Sequence, residues 1–196
     1  MTATGIYTLQ AFTDDVRAIV ARGLGDQKTQ EALLEPLERV IQRQDVLADL
    51  EPSGNPSPDK GFNIYRDDNL TISAVIWQPN VGTPPHNHNG WAMEGVISGL
   101  ERNRNFDRVD DGAVPWIAKL EEVAPSLVAT GQTTCLALPP NDIHQVEVPA
   151  GKTLAIHIYG LDLAKQWRYQ YDLESGEVKP FRSGMRQNST GSTPER

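Results

Sequence analysis

The feature that most limits the fold is a series of short apolar segments that runs from residue 69 to residue 160. Glycine, proline, asparagine and aspartate separate the segments, as they separate the strands of all-β domains. The segments are NLTISAVIW, GWAMEGVISGLERNRNF, SLVATG, QTTCLALP, HQVEVPA and KTLAIHIYG. Short strands with this spacing predict a β-sandwich or a β-barrel.

The N-terminal part of the chain has a helical pattern instead. Apolar side chains recur at helical spacing over residues 9–24, where Thr13 is expected to cap the helix and Gly23 and Gly25 to end it. A second helical pattern follows, and Pro36 is expected to kink it or restart it. The chain is therefore predicted to have four parts, which are a helical cover (1–50), a turn-rich linker (51–61), a β-barrel (62–182) and a flexible tail (183–196).

Composition excludes several classes of function. A formal charge of −8 over 196 residues argues against nucleic acid as the principal partner. No apolar run is long enough to cross a bilayer, and the N-terminus lacks the pattern of a signal peptide. The single cysteine, Cys135, excludes an internal disulfide, is expected in the core, and fits a reducing cytoplasm. We expect a cytoplasmic protein with no membrane partner; a homo-oligomer is compatible with the sequence, which leaves the oligomeric state open.

Three of the four histidines lie in two motifs that predict a metal site. His86 and His88 belong to PPHNHNGW, and His144 follows a proline-rich turn in LPPNDIHQV. Alternate residues of an extended segment share a face, so both histidines of the first motif can point into a barrel. Asn141 suits a left-handed turn conformation, if the second motif needs one. Neutral imidazoles are common ligands of Zn, Fe, Cu and Ni, so the pattern predicts a mononuclear metal centre.

These motifs resemble the two metal-binding motifs of the cupins, H-x-H and P-x-G-x-x-H, with Asn141 at the position of the glycine. Cupins usually carry a glutamate separated from the second histidine by three or four residues. Ala92 and Met93 occupy those positions here, and Glu94 lies beyond them. A three-histidine site without the glutamate resembles the thiol dioxygenases, a cupin branch. The run from His86 through Trp91, and the segments DIHQV, AIHIYG and KPFRSG, are similar to the bacterial 3-mercaptopropionate dioxygenases over roughly residues 62–184.

The resemblance implies a fold, a cofactor and a reaction. The fold is the cupin double-stranded β-helix, a jelly-roll-like barrel that is mainly β, with an N-terminal helical extension. The cofactor is Fe(II) held by His86, His88 and His144, although Zn or Ni would fit the same ligands. The reaction adds both atoms of O₂ to a small thiol carboxylate and gives a sulfinate. The sequence does not decide whether the thiol is 3-mercaptopropionate, cysteine or a mercaptosuccinate-like acid.

A histidine and a tyrosine are expected beside the metal. Alternation along KTLAIHIYG places Ala155, His157 and Tyr159 on one face of a strand. Thiol dioxygenases carry a Ser-His-Tyr triad here, so Tyr159 is implied to hydrogen-bond bound oxygen with His157 orienting it, while Ala155 replaces the serine. The cysteine that mammalian-type enzymes crosslink to this tyrosine corresponds to Ala92, or to Met93 under a one-residue shift, so no crosslink is expected.

Two arginines are candidates for binding the substrate carboxylate, since a planar guanidinium suits this task. Arg168 stands where the resemblance places the carboxylate-binding arginine. Arg66 lies near the arginine of cysteine dioxygenases, but its offset favours the opposite strand face unless a bulge intervenes, and it is more simply an ion pair with the adjacent aspartates. We favour Arg168 and expect Trp91 to line the apolar wall.

Two other functions stay open. Glu94 as a fourth ligand would indicate another metal-dependent cupin enzyme. A site that only holds a ligand would indicate a non-catalytic, metal-dependent small-molecule-binding cupin.

Overall fold

The computed structural model describes residues 6–49 and 61–182. In this part of the chain, two α-helices and a short 3-10 helix precede a series of strands. The helices are α1 (Leu9–Val20), α2 (Asp26–Ile41) and the 3-10 turn Val46–Asp49. The strands are β1 (Gly61–Arg66), β2 (Thr71–Trp77), β3 (Ala92–Ser98), β4 (Leu100–Arg108), β5 (Leu120–Ala129), β6 (Thr133–Cys135), β7 (Ile143–Glu147), β8 (Thr153–Tyr159), β9 (Arg168–Tyr171) and β10 (Val178–Phe181).

The helix boundaries correct two details of the sequence analysis. Thr8 caps α1, because its hydroxyl accepts a hydrogen bond from the Ala11 N–H at 3.1 Å. Thr13 lies inside the helix, where its hydroxyl donates to the Leu9 carbonyl at 2.9 Å, so the predicted cap is wrong. Pro36 is within α2, which runs from Asp26 to Ile41 without a restart.

The strands form antiparallel sheets whose inner faces meet. One sheet has the order β1-β2-β8-β3-β6, another has the order β5-β4-β7, and β9 pairs with β10. Consecutive strands such as β3 and β4, or β7 and β8, lie in different sheets, which is the jelly-roll arrangement. Val96, Val128 and Ala155 pack together between the two larger sheets. The predicted architecture, a mainly β, jelly-roll-like barrel with an N-terminal helical extension, is confirmed.

The two helices cover the outer face of the five-stranded sheet. Side chains from both helices form one apolar core with alternate residues of β2, β3 and β8. Its fully buried members include Phe12, Leu33, Leu37, Ile72, Met93, Ile97, Ile156 and Ile158. Because Ile156 and Ile158 face the helices, Ala155, His157 and Tyr159 must face the barrel interior.

Three other expectations concern the linker and tail, membrane-spanning segments, and Cys135. The predicted linker, apart from Gly61, and the predicted tail lie outside the described residues. No helix in the described ranges is long and apolar enough to span a membrane. Cys135 is exposed, so its predicted place in the core is wrong. The reason is that β6 is a short strand at the edge of the five-stranded sheet, next to β3.

Candidate metal centre

The three predicted ligands meet at one point inside the barrel. The ring centroids of His86 and His88 are 4.9 Å apart, those of His86 and His144 are 4.8 Å apart, and those of His88 and His144 are 4.9 Å apart. All three side chains are buried, and one nitrogen from each lies within 4.8 Å of the others. The structure thus joins two motifs that are far apart in the sequence.

Backbone hydrogen bonds join these motifs directly. The His86 N–H donates to the His144 carbonyl at 2.8 Å, and the His144 N–H donates to the His86 carbonyl at 2.9 Å. This reciprocal pair is the pattern of two opposed residues in an antiparallel ladder. The backbone therefore brings these two histidines together without help from a metal.

Two of the imidazoles are oriented through Nδ1. The Nδ1 of His86 lies 3.0 Å from the Pro84 carbonyl oxygen, and the Nδ1 of His144 lies 2.8 Å from the Asn103 amide oxygen. Both oxygens can only accept, so each Nδ1 carries the proton and each Nε2 is left as the ligand atom. His88 has a buried Nδ1 with no hydrogen-bond partner among the described residues. Three nitrogen donors with this arrangement fit a divalent transition metal.

The electrostatics of the site keep the imidazoles neutral. Burial is the main cause that lowers the pKa of His86 to about 4, and the nearby positive charge of Arg168 lowers it further. Burial and the neighbouring histidines hold the pKa values of His88 and His144 well below the usual value. Neutral imidazole is the form that binds metals, so no proton has to leave at neutral pH.

The H-x-H segment is held on both sides. The carboxylate of Asp142 accepts hydrogen bonds from the backbone N–H groups of His88 at 2.9 Å and Asn89 at 2.7 Å. Asn89, rather than Asn141, adopts a positive φ, of 60°, so the left-handed residue follows the first motif. On the other side, Tyr171 donates its N–H to Pro85 at 2.9 Å. Strand β9 is therefore tied to the segment that carries two of the ligands.

Tyr159 and His157 lie beside the histidine triad. The phenol oxygen of Tyr159 is 3.0 Å from Nδ1 of His157, and its ring centroid is 5.2 Å from that of His88. In the β3–β8 ladder Ala92 is opposite Tyr159, whereas Met93 belongs to the core under the helices. Ala92 is thus the residue that faces the tyrosine, and it offers no sulfur for a crosslink.

Sequence reasoning missed a buried polar cluster next to this pair. The Nε2 of His157 is 3.6 Å from a carboxylate oxygen of Glu101 and 3.8 Å from one of Glu94. The amide nitrogen of Asn103 donates to the other oxygen of Glu94. Glu94 groups with Glu101 and His157 and not with the histidine triad, which weighs against its role as a fourth ligand. Alternation along β4 places Glu101 and Asn103 on one face and was the signal available for finding them.

The structure brings Arg168 to the histidine triad. Arg168 begins β9 and is only 5% exposed. Its guanidinium carbon lies 4.4 Å from the centre of the Phe181 ring, and that ring is 6.2 Å from the ring of His86. Burial lowers the pKa of Arg168 to about 10, and its charge lowers the pKa of each triad histidine. A buried cation therefore lies within electrostatic reach of all three ligands.

Two predicted site residues lie elsewhere. Arg66 is partly exposed and binds Asp162 through Nε at 2.6 Å and through a second nitrogen at 3.1 Å. Its partner is therefore not one of the adjacent aspartates. A bulge between Asn63 and Tyr65 is present in β1, but it does not bring Arg66 to the triad. Trp91 packs in the main apolar core, and its predicted role in the wall of the site stays a prediction.

Comparison with known proteins does not show a family for this chain. No protein-family model matches the chain. Similar solved structures include a DMSP lyase from Ruegeria pomeroyi, at 13% identity and a TM-score of 0.42, over 61% of this chain and 53% of that one. A cupin superfamily protein from Desulfitobacterium hafniense is 10% identical, with a TM-score of 0.40, over 60% of this chain and 88% of that one. A cupin 2 conserved barrel domain protein from Leptotrichia buccalis is 20% identical, with a TM-score of 0.41, over 59% of this chain and 46% of that one. None of these likenesses assigns a reaction or a substrate.

Proposed function

We propose that this protein is a thiol dioxygenase that uses Fe(II) and O₂ to convert a small thiol carboxylate into a sulfinate. The observation that carries the proposal is the convergence of three kinds of group in one buried place. These are three neutral imidazoles, the guanidinium of Arg168 and the phenol of Tyr159. A metal held by the imidazoles would bind the thiolate and O₂, the guanidinium would bind the carboxylate, and the phenol would hydrogen-bond the oxygen.

His86, His88 and His144 would hold the metal through nitrogen. Because these three imidazoles are neutral, Fe(II) held there would keep its full positive charge and would supply the chemistry that brings a thiolate and O₂ together. The second sphere supports this assignment, because Pro84 and Asn103 fix the ring orientations of His86 and His144.

Arg168 would bind the substrate carboxylate. The Phe181 ring against its guanidinium restricts the plane of that group, and a carboxylate can meet the planar fork with two parallel hydrogen bonds. Burial disfavours the charged guanidinium, which is why the pKa of Arg168 falls to about 10. An anion that enters the site compensates this cost, so the site selects acids over neutral thiols.

Tyr159 would act on the oxygen atoms of the reactants. The centroid of its ring is 5.2 Å from that of the His88 ring. A phenol O–H in this position can donate a hydrogen bond to an oxygen that gains negative charge during the reaction. His157, at 3.0 Å from the same hydroxyl, holds the tyrosine in place.

The test is oxygen uptake by the Fe(II)-loaded protein with 3-mercaptopropionate, cysteine and mercaptosuccinate, with sulfinate measured by mass spectrometry. We expect at least one thiol to be oxidised. In Arg168→Ala, loss of a buried charge partner should lower kcat/KM by about 30-fold or more, since such a loss costs roughly 2–5 kcal/mol. The matched control Arg66→Ala should stay within about twofold of wild type, as expected for a residue away from the reacting groups.

Two outcomes contradict the proposal. If no thiol in the panel causes oxygen uptake, the dioxygenase assignment is wrong. Tight binding of a thiol carboxylate without turnover would favour a metal-dependent binding cupin instead.

A further inference from the structure

Four buried polar atoms of one cluster have no hydrogen-bond partner among the described residues. They are Nε2 of His157, Oε2 of Glu94 and both carboxylate oxygens of Glu101. Glu94 and Glu101 are completely buried and His157 is 5% exposed. Buried carboxylates without donors are strongly unfavourable unless a proton or a cation balances them. The cluster therefore needs a positive charge or a proton to balance its carboxylates, and the histidine triad next to it does not supply one.

The cluster is connected to the metal site at two points. At one end, Asn103 accepts from Nδ1 of His144 and donates to Glu94. At the other end, Nδ1 of His157 meets the hydroxyl of Tyr159. The path from a metal ligand to the tyrosine thus runs through Asn103, Glu94 and His157.

The protonation of His157 decides which way the Tyr159 hydroxyl points. When only Nε2 is protonated, Nδ1 is an acceptor and the phenol proton is directed at His157. When both nitrogens are protonated, Nδ1 donates to the phenol oxygen, and the phenol proton is free to point elsewhere. Tyr159 can donate to a reactant in the site only when Nδ1 carries a proton. A neutral ring with its proton on Nδ1 would leave a bare Nε2 facing the carboxylates of Glu94 and Glu101, which favours the doubly protonated ring.

We propose that Glu94 and Glu101 hold His157 as an imidazolium whose Nδ1–H donates to the Tyr159 oxygen, so that the Tyr159 O–H is directed into the metal site. The two carboxylates are positioning residues, because they act on the reactants through His157 and Tyr159. The expected effect on turnover rests on the proposed function, whereas the direction of the hydrogen bond does not.

The groups that face His157 support the doubly protonated form. Glu94 faces it from β3, Glu101 from β4 and Tyr159 from its own strand, while its opposite neighbour on β2 is the uncharged Ser73. Burial lowers the pKa of His157, but the net change raises it well above the usual value, and the hydrogen bond and charge of Glu101 and the charge of Glu94 act in this direction. Burial is the main cause that raises the pKa of Glu94 to about 7, and the charge of Glu101 is the next. At neutral pH Glu94 is therefore partly protonated, which removes part of the negative charge of the cluster.

Nuclear magnetic resonance of the histidine rings tests the direction of the hydrogen bond. The wild-type chain is loaded with diamagnetic Zn²⁺ and labelled with ¹⁵N, and the His157→Gln variant identifies the His157 signals. We expect both His157 nitrogens to be protonated at pH 7. A bare Nδ1 or a bare Nε2 in wild type overturns the proposal. A second Zn²⁺ per chain that is lost in Glu101→Gln also overturns it, because a cation would then occupy the place of the proton.

The Glu101→Gln variant tests the consequence for turnover, with Glu122→Gln as the matched control. Glu122 is ion-paired with Arg104 at 2.6 Å, outside the cluster. In Glu101→Gln we expect deprotonation of His157 to move to lower pH and kcat with the thiol to fall about tenfold or more, which is within the range of positioned proton donors. KM should stay within about twofold, since Arg168 is untouched. An unchanged kcat and pH profile in the variant would contradict the positioning role.

The two proposals can fail separately. If wild type oxidises no thiol, the proposed function fails, while the protonation of His157 still decides the inference. If Glu101→Gln does not fold, the wild-type ring signals and the Glu94→Gln variant carry the same test.

Discussion

Asn103 should control how tightly the site binds a metal, although it is not a ligand. It is fully buried, its amide oxygen lies 2.8 Å from Nδ1 of His144, and its amide nitrogen donates to Glu94. Asn103→Ala leaves both of those groups without a partner. Loss of a residue that orients a metal-ligating histidine typically weakens metal binding about 10- to 100-fold.

The same substitution should also destabilise the metal-free fold. A buried donor or acceptor that loses its partner costs about 1–3 kcal/mol, so two such groups should cost roughly 2–6 kcal/mol in Asn103→Ala. Asn105→Ala is the matched control on the same strand, because the Asn105 amide is exposed and its bond to Ala124 is 3.3 Å long. The control should change the free energy of unfolding by about 0.5 kcal/mol or less.

Metal affinity is measured by competition for Zn²⁺ with a chromophoric chelator, and stability by urea denaturation with the metal removed. Wild-type affinity in Asn103→Ala would refute the reasoning. Equal losses of affinity in the two variants would refute it as well, because the effect would then not depend on the contact with His144.

Three further predictions concern packing and pH. Leu37→Ala should lower the free energy of unfolding by about 2–5 kcal/mol in urea, because the leucine is fully buried against Gly95; a loss below 1 kcal/mol would argue against this packing. Gly160→Ala should cost about 1–3 kcal/mol and lower Tm, because an added Cβ would lie 2.0 Å from the Trp91 indole nitrogen; an unchanged Tm would show that the contact is absent. The pKa of Glu94 is raised from 4.5 to about 7, so the folded chain keeps a proton that the unfolded chain has lost. Its contribution to stability is therefore fully present below pH 4.5 and is lost as the pH rises to 7, by up to about 3 kcal/mol. Urea denaturation of the metal-free protein across this window should show the fall, and Glu94→Gln should reduce it; the same slope in both proteins would contradict the assignment.

Local rules were sufficient for much of the fold and for the residues of the histidine triad. Alternation along one strand correctly placed His157 and Tyr159 together on the interior face, because the period of two depends only on the backbone. The H-x-H spacing and the proline-rich turn likewise led to the triad, since each motif directs its own side chains. The pairing of His86 with His144 then needed only that the two segments be neighbours in the barrel.

What the sequence could not supply depends on contacts between distant residues. Glu101 and Asn103 look like part of an exposed polar strand, and only the packing of β4 across the barrel shows that they are buried. Arg66 finds its partner 96 residues away, in Asp162, so adjacent aspartates gave a misleading pairing. Cys135 resembles a core residue by type, but its strand lies at the edge of the five-stranded sheet and its side chain is exposed.

The backbone hydrogen bond from Tyr171 to Pro85 has a consequence for how substrate preference can change. It joins the strand that carries Arg168 to the segment that carries His86 and His88, so neither can shift along the other without breaking the ladder. On the proposed function, the distance from the metal to the guanidinium is then fixed, and this distance sets the length of the acid that the site accepts. Acceptance of a longer acid would require an insertion or a register shift in β9. Single side-chain substitutions in the site would change the affinity for an acid more readily than the length of acid that is accepted.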